Sequence, residues 1–277
     1  MLYTSLCVSD DILTTPPPKA DRRQTYGSDA NQFVDIRMPA TKPPHPVVFF
    51  IHGGYWRSMY DLTYAGHLCH ALKNAGIATW NVEYRRVGNP GGAWPGTFED
   101  IRSAYRALLE QGEEKKPQFD LRQLCVAGHS AGGQLALCLA AHEKSVTRTF
   151  SLAGVLDLRR GWELHLSNDA VSQFLGGSPK EVPEHYREAS PSEQTIAAKQ
   201  TLIHGTADTS VPYEIGQSYA ERKKKSGEKV ELITLPNIGH FEIVDPSSTV
   251  WGKVQEVFVS LTRNISNQHS AASRVDV

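Results

Sequence analysis

Leu124-Cys125-Val126-Ala127-Gly128-His129-Ser130-Ala131-Gly132-Gly133 decides how the rest of the chain is read. An apolar run enters, small residues flank a serine, and an Ala/Leu-rich stretch from Ala131 to His142 leaves. That order predicts a strand turning sharply into a helix, with Ser130 at the bend. The turn needs neighbours without bulk, which Gly128, Gly132 and Gly133 supply. It also sets Ser130 at a helix N-terminus, where unpaired backbone N–H groups can face developing negative charge. Gly-x-Ser-x-Gly alone is a weak signal, and a serine that merely caps a buried helix is the bland alternative. The strand before it and the helix after it favour a nucleophile.

A serine hydroxyl is a poor nucleophile until a base takes its proton. In this kind of fold an acid and then a histidine follow the serine along the chain. Asp208 lies just past the apolar run Gln200–His204, and His240 lies in Ile238-Gly239-His240-Phe241, after the run Val230–Leu235. Both are expected at the same sheet edge as Ser130. Asp245 is the reserve acid, His204 a structural hydrogen-bonding residue, and His129 is expected to point away from the substrate side. Phe50-Ile51-His52-Gly53-Gly54-Tyr55-Trp56 follows the buried run Val47–Ile51. A loop there can supply an oxyanion hole from the backbone of Gly53, Gly54 and Tyr55, joined by that of Ala131, with His52 bracing it. Tyr55, Trp56, Trp94, Trp162 and Phe241 are the candidates for an aromatic substrate pocket. Arg85 and Arg86 are expected in scaffold ion pairs rather than on an acidic substrate, and Glu221–Lys225 on a solvated helix face.

Taken together, these residues resemble the α/β-hydrolase superfamily across about residues 30–262. The pairing of His52-Gly53-Gly54-Tyr55-Trp56 with Gly128-His129-Ser130-Ala131-Gly132 resembles its kynurenine formamidase (arylformamidase) branch and neighbouring esterases. The resemblance implies a Ser130–Asp208–His240 triad, the oxyanion backbone just named, and neither metal nor organic cofactor. Tyr55 stands where lipase-type relatives have a third glycine, which favours the formamidase-like branch. The implied activity is cleavage of a small ester or amide, such as an aryl formamide like N-formylkynurenine. A general short-chain carboxylesterase is the alternative, and a non-catalytic binding protein on a hydrolase scaffold is the alternative of another class.

The remainder of the chain alternates strands with helices, which predicts an α/β fold: a mainly parallel sheet flanked by helices. Strands are expected at 31–37, 47–51, 77–82, 123–127, 148–152, 200–204 and 230–235. Helices are expected at 65–74, 98–111, 131–142, 218–225 and 249–261. Residues 31–262 form the domain, with 155–195 as an inserted cap or lid; 1–30 read as an irregular lead-in and 263–277 as a disordered tail. The 29 basic and 30 acidic residues nearly cancel, which speaks against nucleic acid or an anionic membrane as partner and for a small molecule. Pro46–Ile51 is far too short to span a bilayer, and the first ten residues lack the basic start and apolar core of a signal peptide. Cysteines 7, 69, 125 and 138 have no metal-ligand spacing and read as free thiols of a cytoplasmic protein.

Overall fold

Val47, Phe49 and Ile51 face one hydrophobic layer while Val48 and Phe50 face another, all without solvent exposure. A strand presents alternate side chains to opposite faces, so an unbroken apolar run is what a strand covered on both sides requires. The computed structural model describes residues 11–263. Eight strands form one sheet: β1 (Arg22–Thr25), β2 (Phe33–Arg37), β3 (His45–Ile51), β4 (Ala78–Val82), β5 (Phe119–His129), β6 (Arg148–Leu152), β7 (Lys199–Gly205) and β8 (Val230–Leu235). Their order is β1-β2-β4-β3-β5-β6-β7-β8. The pairs β1–β2 and β2–β4 are antiparallel, and every pair beyond them is parallel. Around β3, Val47 lies opposite Ala78 of β4 and Leu124 of β5, and Ile51 opposite Val82 and Gly128.

The helices are α1 (Asp11–Thr14), α2 (Ala65–Asn74), α3 (Gly96–Gly112), α4 (Ala131–His142), α5 (Leu158–Glu163), α6 (Leu166–Leu175), α7 (Pro183–Ala189), α8 (Tyr213–Lys225) and α9 (Trp251–Arg263). Residues of α2 and α9 build one layer, those of α3, α4 and α8 the other. Helix α4 is buried along nearly its whole length, which accounts for its apolar character on every side. Between β6 and β7 the chain folds as α5, α6, α7 and a 3-10 turn.

Two expectations need correction. Residues 22–25 were expected within an irregular lead-in, yet they form β1, which pairs outside β2 with Arg22 opposite Ile36 and Thr25 opposite Phe33. An exposed edge strand has no apolar alternation to reveal it, and the polar Arg-Arg-Gln-Thr sequence fits a protected edge. Helix α8 begins five residues earlier than expected, directly after Pro212. The leader reading for residues 1–10, the tail after Arg263 and Cys7 lie outside the described residues. Among the described residues, no helix is long and apolar enough to cross a membrane.

Candidate active site

Parallel strands deliver their carboxyl ends to one edge of the sheet, where the following loops converge. Ser130 joins β5 to α4 with φ 57° and ψ −123°, a positive φ that a non-glycine residue holds only under constraint. The constraint is visible on both sides. The Ser130 N–H donates to the Leu152 carbonyl (2.8 Å), and its own carbonyl accepts from Gly133 (2.9 Å). Gly132 lies so close to the end of β3 that a Cβ there would sit 2.1 Å from the Ile51 oxygen and 2.4 Å from that of His52. Because both obstacles are backbone, Gly132→Ala should destabilise the fold by about 1–3 kcal/mol, the range for overpacking. Chemical denaturation of the two proteins checks this, and an unchanged midpoint would contradict it.

Close approach also defines the 52–56 loop. A Cβ on Gly53 would stand 2.8 Å from both the His129 oxygen and the Ser130 Cβ, so this loop can pass the serine only as glycine. The His52 ring, fully buried, is stacked on Tyr84 (4.4 Å), and its two nitrogens reach the Gly53 carbonyl (2.8 Å) and Glu83 Oε1 (3.1 Å). Glu83 also accepts from the N–H groups of Leu62 and Tyr84 and pairs with Arg86 at 2.9 Å. His52 therefore braces the loop from below. Arg85 pairs with Asp100 (2.6 Å), so both arginines belong to the scaffold.

Of the four expected oxyanion donors, Gly53 must be removed: its N–H already donates to Tyr64 Oη at 2.7 Å. Among the described residues, no hydrogen-bond partner takes the N–H of Gly54, Tyr55 or Ala131. Ala131 opens α4, so its N–H has no carbonyl within the helix to meet.

Asp208 and His240 come together from separate loops, after β7 and β8. His240 Nδ1 lies 2.7 Å from Asp208 Oδ2. A carboxylate only accepts, so Nδ1 carries the proton and Nε2 is left as the acceptor. The other carboxylate oxygen accepts from the N–H of Ser210 (2.9 Å) and Val211 (2.8 Å), and His204 Nε2 approaches Oδ2 at 3.3 Å. Burial alone would raise the Asp208 carboxyl. The hydrogen bonds from His204 and His240 and from the Val211 N–H outweigh it and hold the group well below the ordinary carboxylate range. A depressed folded pKa contributes stability that is complete above the unfolded value of about 3.9 and is lost as pH falls through the folded one. Asp208→Asn should accordingly lose less stability than the wild type on acidification from about pH 5 to pH 3. Unfolding free energies at the two pH values check this; parallel losses would contradict it.

Ser130 and His240 face one cavity of about 240 Å³, which Tyr55 and Phe241 also line. Among the described residues no hydrogen bond joins the two side chains, a contact that commonly tightens only on substrate binding. Tyr55 spans from the 52–56 loop to the acid's loop, its hydroxyl donating to the Ser210 carbonyl. Roomier grooves of about 520 and 550 Å³ elsewhere on the surface touch none of these groups. Asp245 is turned to Ser247 and lines a different groove, which removes it as reserve acid.

Three of the five expected pocket aromatics do not line this cavity. Trp56 is fully buried, stacked on Phe174 at 4.4 Å, with Nε1 donating to Gln134 (3.0 Å). Trp94 stacks on Phe98 (5.3 Å), and Trp162 packs against the same core layer. Leu13, Tyr60, Tyr64 and His129 line the cavity instead. Leu13 comes from the lead-in and Tyr60 from a loop, and no local pattern marks either. His129 was expected to turn away, yet its ring lies 4.4 Å from that of His240. Among the described residues, no group of three or more His, Cys, Asp or Glu side chains is arranged to hold a metal ion.

Comparison with known proteins gives this geometry a family. The model of the BD-FAE family matches residues 34–222, which include the 52–56 loop, Ser130 and Asp208. The chain belongs to the BD-FAE family. It is 28% identical over 253 residues to Esterase LipC of Mycobacterium tuberculosis, covering 82% of this chain and 61% of that protein. To the kynurenine formamidase of Salmo salar it is 23% identical over 232 residues, covering 79% of this chain and 74% of the relative. The chain spans about three fifths of the length of the curated relatives it matches first. A carbohydrate esterase from gut microbiota, solved in truncated form, superposes with a TM-score of 0.75 at 19% identity, covering 90% of this chain and all of the other. This BD-FAE chain thus has the α/β-hydrolase fold.

Proposed function

We propose that this protein is a serine hydrolase that cleaves small esters or amides through an acyl-enzyme on Ser130. The observation that carries the reading is the Asp208–His240 pair at 2.7 Å, opening onto the cavity that holds Ser130. Ser130 Oγ attacks the carbonyl carbon as its proton passes to His240 Nε2. Asp208, held ionised, keeps Nδ1 protonated and stabilises the imidazolium. The developing oxyanion meets the N–H groups of Gly54, Tyr55 and Ala131. His240 then returns the proton to the leaving alcohol or amine, and water, activated by the same ring, releases the acid. Ser130 and His240 on one cavity, with Asp208 hydrogen-bonded behind the histidine, favour an enzyme over a binding protein on a hydrolase scaffold.

For the substrate, the reading is an aryl formamide or a short-chain aryl ester. A volume of about 240 Å³ lies below the roughly 300–1,000 Å³ common for drug-sized ligands. Tyr55, Tyr60, Tyr64 and Phe241 offer aromatic surface to a planar leaving group. The kynurenine formamidase relatives support the formyl alternative, and the esterases support the ester. Formyl and acetyl groups should be accepted well and octanoyl poorly, each misfit methylene costing about 1–3 kcal/mol. A p-nitrophenyl ester series together with N-formylkynurenine is the test. A kcat/KM that climbs from acetyl to octanoyl would replace this substrate reading with an acyl tunnel.

A further inference from the structure

Two buried side chains that motif reasoning leaves without a role join the oxyanion loop to the general base. Gly53 N–H donates to Tyr64 Oη (2.7 Å), Tyr64 Oη lies 2.8 Å from His129 Nδ1, and His129 Nε2 lies 3.1 Å from the His240 carbonyl oxygen. The directions follow from donor and acceptor chemistry. A carbonyl only accepts, so His129 Nε2 carries the proton. Burial first, and then the neighbouring His240, push the His129 imidazole well below the usual histidine range, which keeps it neutral and leaves Nδ1 as an acceptor. The Tyr64 hydroxyl, already accepting from Gly53, therefore donates to Nδ1. Three hydrogen bonds run in one direction from the loop beside Ser130 to the backbone of His240.

We infer that Tyr64 and His129 are positioning residues: they set the oxyanion N–H groups and His240 in register around Ser130. By taking the Gly53 N–H, Tyr64 fixes the His52–Gly53 peptide, one peptide ahead of the Gly54 N–H, which is free of partners among the described residues. The His129 ring lies against that of His240 (4.4 Å) while its Nε2 holds that residue's carbonyl, so the base is fixed at side chain and backbone together. Both residues are nearly inaccessible to solvent, 6% and 1% exposed, so water does not replace a lost link easily. Aligned bonds of this kind also polarise one another. The role rests on the hydrolase reading above.

Tyr64→Phe removes one hydroxyl and keeps the ring. The readout is hydrolysis of a matched ester and thionoester, which differ only in the carbonyl O or S that must be seated against the N–H donors. Removing an oxyanion donor outright costs about 10²–10³ in kcat, so displacing one should cost about tenfold or more on the ester, with KM little changed. The ester-to-thionoester ratio should narrow accordingly. His129→Phe should narrow it as well, and the double variant should lose no more than the worse single, because the two act through one chain. If Tyr64→Phe does not fold, His129→Phe carries the same measurement. Equal losses on both substrates, or kcat within threefold of the wild type in both variants, would overturn the positioning role. Wild type and Ser130→Ala run alongside. Turnover present in the first and lost in the second sustains the hydrolase reading independently of how Tyr64 and His129 behave.

Discussion

Ser130→Ala should turn over substrate at least about 10³-fold more slowly than the wild type while remaining folded. The variant loses only Oγ, the atom proposed to form the acyl bond, and keeps the Cβ, so the constrained backbone at φ 57° should be unchanged. The anchors that hold this residue are its N–H on Leu152 and its carbonyl on Gly133, both backbone, and both survive. Stability should therefore stay within about 0.5 kcal/mol, as for a substitution that breaks no packing or buried network. Some acceleration over water should persist, because the proposed oxyanion N–H groups and the binding of substrate remain. Steady-state kinetics with circular dichroism as the fold control measure the effect. A variant with a tenth of wild-type activity would remove Ser130 from the mechanism.

Asp208→Asn should come next in size, near a 10⁴-fold loss in kcat, the cost of the equivalent change in the serine–histidine–aspartate template. The reason lies in one oxygen. Oδ2 receives the His240 Nδ1 proton at 2.7 Å, whereas Oδ1 is taken by the N–H groups of Ser210 and Val211. In asparagine the carbonyl oxygen stays with those N–H donors, and an NH₂ faces His240. That ring must then accept at Nδ1 and carry its proton at Nε2, where it cannot take one from Ser130. Asp245→Asn should leave kcat within about twofold, since its carboxylate turns to Ser247, outside the cavity. Kinetics of the two variants side by side decide the matter. The reverse ranking would move the acid's role to Asp245.

The sequence carried the frame of the site further than its walls. The order of serine, acid and histidine, each just past an apolar run, was legible because strand ends deliver their loops to one edge. β3 was legible because burial on both faces leaves an unbroken apolar run. β1 was not, because an exposed edge strand carries no such signature. The pocket aromatics failed for a reason of direction. Residue type says that Trp56 is large and apolar, but not which way it turns. The positive φ at Tyr55 (49°) and Trp56 (56°) swings the second ring into the core while the first spans the cavity edge. Gly53 was sound as a close approach and wrong as a donor, because its N–H goes to a tyrosine eleven residues on. Pairings of that kind depend on how α2 and its preceding loop dock, which no local pattern encodes.

The most direct test of the central claim is covalent capture of the nucleophile. A fluorophosphonate probe transfers its phosphonyl group to an activated serine oxygen: an O–P bond forms, fluoride leaves, and the serine proton is taken up by the base. Intact mass followed by peptide mapping of the labelled wild type should find a single adduct, on Ser130 in the peptide around Gly128–Gly133. Labelling should be lost in Ser130→Ala and slowed by orders of magnitude in Asp208→Asn. An unlabelled wild type, or an adduct on any other residue, would contradict the account.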